Sequence, residues 1–205
     1  TVRLALLDGA PLDTTCKHYD STVMGKCQWP VMVESNWYGD DPCLEKKLSE
    51  DLDRLAKCLP DHAVKLLRDE KPTPIWINKT MRYGPKACPV KADGMCFHPA
   101  KEWLIQQGCH PEKGECVELY SSKDYGESRQ LWGVGGLLVH EFSHAYHHKG
   151  CKDGYENKEI KDCYRQAMKE GLYDKVRVKG NQGPTAKAYA CTNQMEYFAE
   201  LSAAF

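Results

Sequence analysis

The sequence predicts an α+β protein, one domain over residues 1–205 built as two lobes, and three observations carry that expectation. Apolar residues recur with helical spacing at 44–59, 131–148, 160–168 and 192–205. Short runs with the period or composition of strands, at 31–33, 75–77 and 116–121, lie only in the first part of the chain. A length of 205 residues suffices for one domain with a real core, or one domain with two lobes around a cleft. The N-terminal lobe is expected over 1–130, with helices and an edge strand. The helical lobe follows over 131–205.

In order along the chain, residues 1–35 are the least legible. Val2, Leu4 and Leu6 alternate, and so do Val31 and Val33 after Pro30, which allows two strands with Cys16 and Cys27 tying down the loop between them. Asp41-Pro42 reads as the cap and first position of a helix. Leu44, Leu48, Leu52, Leu55 and Leu59 give that helix an apolar stripe, and Pro60 ends it. A short second helix is expected over 62–68, with His62 at its surface, then a strand around Ile75, Trp76 and Ile77. The span 88–96 reads as a loop, and 100–107 as a short helix stopped by Gly108. His98 and His110 flank that helix without a partner at ligand spacing and read as loop histidines. In 116–121 Val117 and Leu119 alternate with Glu118 and Tyr120, which predicts a half-exposed edge strand able to hold an extended peptide.

The stretch 131–148, LWGVGGLLVHEFSHAYHH, reads as one buried helix. Residues four apart share a helix face, so His140 and His144 can aim both imidazoles at one ion. Glu141 sits beside the first histidine and can reach a water on that ion without ligating it. A buried helix with three such groups on one turn needs a polar partner for them, since each one left unpaired costs roughly 1–3 kcal/mol. Two imidazoles, a carboxylate and an open position make zinc the expected metal, one ion per chain. Gly133, Gly135 and Gly136 do not form a nucleotide loop and point to close packing at the helix start. Gly150 is the expected left-handed stop after the motif. A further amphipathic helix through Ile160, Cys163, Tyr164, Ala167 and Met168 ends at Gly171, and 175–184 is a basic loop. The last helix opens at Thr192 and carries Glu196 and Glu200 on one face among apolar neighbours, which favours a metal role for at least one of them.

His140-Glu141-Phe142-Ser143-His144 followed by Tyr189-Ala-Cys-Thr-Asn-Gln-Met-Glu196-Tyr-Phe-Ala-Glu200 resembles the gluzincin metallopeptidases, in particular the family of the anthrax lethal factor catalytic domain. That family shares a TNxxEFFAE helix behind a tyrosine, its metal-binding glutamate seven residues after the tyrosine. The likeness covers 131–205 only. It implies a zincin-like fold with a small sheet above the active-site helix and a glutamate helix below. It also implies Glu196 as third zinc ligand, Tyr189 facing the substrate oxyanion, and Glu200 as the carboxylate that orients a zinc histidine. A metzincin pattern fails, because His147 stands where glycine is required and Gly150 where the third histidine belongs. The implied activity is a zinc-dependent endopeptidase with Glu141 as general base and a peptide or protein as substrate.

Composition narrows the setting. A net charge of −1 gives no electrostatic case for nucleic acid as partner. The apolar run at 133–139 is far too short to span a bilayer, so no membrane partner is expected. Eleven cysteines point to an oxidising compartment, secretion and several disulfides, with Cys88–Cys96 and Cys109–Cys116 as candidate local bridges. The odd count leaves one thiol for a disulfide-linked dimer as the alternative to a monomer. The sequon at Asn78 fits a secreted glycoprotein. With Thr1 as the first residue, a mature form without its leader is expected. The rival to an enzyme is a disulfide-rich binding or toxin-like module around a structural zinc, a role in which Glu141 has no use.

Overall fold

The computed structural model describes residues 19–34, 41–78, 94–106, 110–120, 122–178 and 182–205, and their architecture is α+β. Strands β1 (Tyr19–Met24) and β2 (Trp29–Glu34) form an antiparallel hairpin. Its turn holds Gly25 at φ +72°, with Asp53 so close that a Cβ there would lie 2.7 Å from Oδ1. The chain then crosses through helices α1 (Leu44–Cys58) and α2 (Asp61–Lys65) to β3 (Ile75–Ile77), which pairs parallel with β2. A parallel pair needs such a long crossover. Next come β4 (Met95–Phe97), α3 (Lys101–Gln106) and β5 (Val117–Leu119). Strand β5 inserts parallel beside β3, and β4 closes the sheet antiparallel to β5, giving the order β1-β2-β3-β5-β4.

One face of this sheet makes the main core. Val31, Ile75, Ile77, Val117 and Leu119 meet Leu44, Leu48, Leu52 and Leu55 of α1 and the helix α5 (Gly136–Lys149). Leu138, Phe142 and Ala145 are the α5 side chains that enter it, and the Phe142 ring packs edge-on to Trp29 with centroids 4.9 Å apart. On the other face Tyr19, Trp76 and Cys116 surround a buried polar group. There Glu118 accepts from Lys113 and Asn78 and lies 2.7 Å from His98 Nε2, while Asn78 Oδ1 accepts from Tyr19 at 2.8 Å. Buried charges persist only when paired in this way.

Several expectations need correction. The segment 116–121 is no edge strand: β5 is interior, and all three of its residues are buried. Glu118 faces the polar cluster, which keeps a charged residue in a buried strand and produces the alternation that imitates a half-exposed one. The edge on that side belongs to β4, whose Met95 and Cys96 fall in the span expected to be loop. His98 and His110 lie outside helices and strands, as expected, but both are buried, the first against Glu118, the second accepting from Glu112 N and tilted against Trp76. Asn78 is fully buried with its amide nitrogen on Glu118, so a glycan at that nitrogen is incompatible with this packing.

The C-terminal half brings smaller changes. Residues 131–148 are not one helix: α4 (Ser122–Trp132) ends before Gly133, and α5 begins at Gly136. Gly150 ends α5 at φ −105°, outside the left-handed region. Glycine is needed there for space, because a Cβ would meet Tyr146 at 2.8 Å and Leu66 at 2.9 Å. Helix α6 (Lys158–Glu170) stops at Gly171 in the left-handed region, as expected. Part of the basic loop forms a hairpin of β6 (Val176–Arg177) and β7 (Thr185–Ala186). Helix α7 (Gln194–Ala204) is capped by Asn193, one residue after Thr192, its Oδ1 accepting from the N–H groups of Met195 and Glu196. Helix α1 starts at Leu44, with Asp41 Oδ1 accepting from Cys43 N just ahead of it.

Cys27, Cys43, Cys58, Cys96, Cys116, Cys151, Cys163 and Cys191 are thiols, and no two cysteines are bridged among the described residues. Val2, Leu4, Leu6, Cys16, Cys88 and Cys109 lie outside the described residues. Among the described residues no helix is long and apolar enough to cross a membrane.

Candidate metal centre

Helix α5 is buried on every side, and each side meets a different element. Leu138, Phe142 and Ala145 face the sheet core. Glu141 and His148 face β4, and His140, His144 and His147 face α7. The chemistry therefore depends on how α5 is seated. Asp51 of α1 seats its start: Oδ1 accepts from Gly135 N at 3.0 Å and from Arg129 Nε at 2.9 Å, and the Tyr125 hydroxyl donates to Oδ2. Gly135 has φ +81°, and a Cβ there would stand 2.8 Å from Arg54, so close packing at the helix start is real. Buried Lys149 seats the far end, donating to Pro72 O at 3.1 Å, Thr73 Oγ1 at 2.9 Å and Glu115 O at 2.8 Å.

Three ligand atoms from two helices converge. His140, His144 and Glu196 each offer one, and these atoms lie within 4.8 Å of one another. His140 Nε2 and His144 Nε2 are 3.2 Å apart, and Glu196 Oε2 stands 3.4 Å from the first and 3.3 Å from the second. Glu196 Oε2 is buried yet makes no well-aligned hydrogen bond among the described residues. Three lone pairs turned on one point suit a shared cation better than a hydrogen bond between them, and two imidazoles with one carboxylate are a zinc donor set. The donor set fits the metal.

The surroundings prepare these groups. Glu200, one turn beyond Glu196, lies 3.2 Å from His140 Nδ1, a buried nitrogen that makes no well-aligned hydrogen bond among the described residues, and is the carboxylate placed to orient that ring. Burial opposes a charge on His140, but Glu196, Glu200 and Glu141 outweigh it and push its pKa up to about 10. Burial also opposes the charge on Glu196, and its two histidine partners hold it down at about 2. Burial raises Glu141, which favours a carboxyl able to exchange a proton. Its Oε2 accepts from the backbone N–H of Phe97 in β4 at 2.8 Å.

Tyr189 sits in a 3-10 turn just before α7 and is 57% exposed, so it is not a core tyrosine. Burial and then the charge of the neighbouring Glu196 raise its pKa and keep it a donor. His148 turns away from the cluster and packs on Phe97 and Tyr155, as the helical twist requires. His147 is buried against Tyr155 and Phe198, both ring centroids 5.0 Å away. Two features of the site have no signature in the sequence. The Trp132 ring stands edge-on to His140, with centroids 5.2 Å apart. Phe97 reaches Glu141 from a strand three residues long, which periodicity cannot detect. No protein-family model, no curated protein and no solved structure matches the chain.

Proposed function

We propose that the protein is a secreted zinc endopeptidase of the gluzincin type. One observation carries the reading: the convergence of His140 Nε2, His144 Nε2 and Glu196 Oε2 beside a buried glutamate that is not one of them. A small sheet on one side of the HExxH helix and a glutamate helix on another support the zincin-like architecture that the resemblance implies. The number of cysteines, eleven in 205 residues, supports secretion.

His140, His144 and Glu196 would hold the ion, and Glu200, 3.2 Å from His140 Nδ1, would orient that ring. Bound there, zinc would supply a Lewis acid and favour the ionisation of water in the site near neutral pH. Glu141 takes one proton from the attacking water as the oxygen bonds to the scissile carbonyl carbon. It returns that proton to the amide nitrogen as the C–N bond breaks, leaving an amine end and a carboxylic acid end that gives up its remaining proton to solvent. The exposed Tyr189 hydroxyl donates to the carbonyl oxygen while negative charge builds on it. A structural zinc site has no role for Glu141, which favours the enzyme over a binding module.

The test is metal content together with cleavage of a mixed peptide library, for the wild type and Glu141→Gln. The wild type is expected to hold one zinc per chain and to show chelator-sensitive cleavage. Glu141→Gln keeps the zinc and loses turnover by at least about 10²-fold, the lower range for removal of a general base. A fully active Glu141→Gln protein, or a wild type that takes up no zinc, overturns the proposal.

A further inference from the structure

We infer that the backbone N–H of Phe97 is a positioning group for Glu141: it holds one carboxylate oxygen so that the other faces the reacting water. The inference rests on the peptidase reading above.

Among the described residues strand β4 pairs on one side only. Cys96 stands opposite Glu118, Gly94 O accepts from Tyr120 N at 2.9 Å, and His98 N donates to Cys116 O at 2.9 Å. Gly94, Cys96 and His98 thus turn their backbone groups towards β5. In an antiparallel ladder the residues between them turn theirs the other way, so Met95 and Phe97 face the open edge. Such edge groups ordinarily meet water or another strand. The Phe97 N–H meets neither, because Glu141 Oε2 from α5 lies 2.8 Å away and both residues are buried.

This contact has chemical weight. A buried carboxylate is costly without a donor, and a charge-assisted bond from a fixed amide is among the stronger ones available. A backbone donor cannot change rotamer, so it sets the carboxylate direction more firmly than a side chain would. General-base catalysis depends on that direction, and misplacement by about 1 Å costs on the order of 10²-fold in rate. The edge strand therefore acts on catalysis through Glu141 and not only through any peptide it pairs with.

Two measurements on the full chain test this. Amide exchange followed by NMR should show Phe97 N–H protected in the wild type and exposed in Glu141→Ala, while His98 N–H stays protected in both. Rapid exchange of Phe97 in the wild type, or unchanged protection in Glu141→Ala, refutes the contact. Replacing Phe97 with its α-hydroxy acid analogue then removes the N–H and keeps the ring. The expected result is kcat lower by about 10²-fold with KM and zinc content as in the wild type. Unchanged kcat, or a rise in KM alone, overturns the positioning role. If the wild type shows no zinc-dependent cleavage, the peptidase reading fails, and the exchange experiment, which needs no change at position 97, still decides whether Phe97 holds Glu141.

Discussion

His147 is the residue whose surroundings agree least with its chemistry. It follows the face of α5 proposed to bind the metal, is fully buried, and has no hydrogen-bond partner for either ring nitrogen among the described residues. Burial, then the nearby His144 and His148, push its pKa down to about 4. The unfolded chain binds this proton near pH 6.5, whereas the native state resists it until about pH 4. Between those values the unfolded state carries more protons, so His147 makes stability fall as pH drops; above the upper value it has no such effect. Phenylalanine fits the same aromatic surroundings and cannot titrate. His147→Phe should therefore lose less stability than the wild type between pH 7 and pH 5, read by urea unfolding in chelator. Equal losses in the two proteins would mean that His147 is not held neutral. The sequence marked this position only as a departure from a glycine-containing motif; that it sits between Tyr155 and Phe198 depends on α7 and on the turn after α5.

At the scale of elements, the seat of α5 decides whether the ligand cluster exists. Asp51 ties α1 to α4 and to the first turn of α5 through Tyr125, Arg129 and Gly135. Removing one partner of a buried charged network costs about 3–5 kcal/mol. Asp51→Ala should lower the unfolding free energy by about that much, and zinc affinity should weaken with it, because His140 lies on the helix that Asp51 positions. Stability within about 0.5 kcal/mol of the wild type would place Asp51 among ordinary surface positions. Asp51 was legible only as a polar residue on a leucine-striped helix, since its partners are more than seventy positions away. The helices were more readable: α1 stands close to where its leucine spacing put it, α6 ends at the Gly171 stop, and α3 and α7 lie close to their expected spans, Gly108 being outside the described residues. The three-residue strands fared unevenly: β3 stands where Ile75, Trp76 and Ile77 put it, β5 was placed but misread as an edge, and β4 was missed. In β5 the polar Glu118 imitates a solvent-facing position, and β4 hides between cysteines in a stretch of loop composition. The α4–α5 boundary was missed because Trp132 and Val134 continue the apolar pattern across a turn that Gly133 and Gly135 form at positive φ.

For the whole molecule, the ligand set joins parts of the chain that are far apart in sequence. His140 and His144 come from α5, packed on the sheet, and Glu196 comes from α7 near the C-terminus. The unfolded chain has no such convergence, so zinc bound at the proposed site would bind the native state alone and stabilise it by mass action. At free zinc a hundredfold above Kd the gain is about 2.7 kcal/mol. In a chain of 205 residues, that gain corresponds to a rise of roughly 5–10 °C in Tm. Chelator should remove the rise, and His144→Ala should show none. Glu200→Gln should retain a smaller shift, because it weakens the orientation of His140 and leaves all three ligands in place. Such partners typically account for about 10- to 100-fold in metal affinity. Differential scanning calorimetry across a zinc titration reads all of these. A wild-type Tm indifferent to zinc would separate the two helices energetically and remove the metal from the proposed function. A shift that survives in His144→Ala would move the binding site elsewhere in the chain.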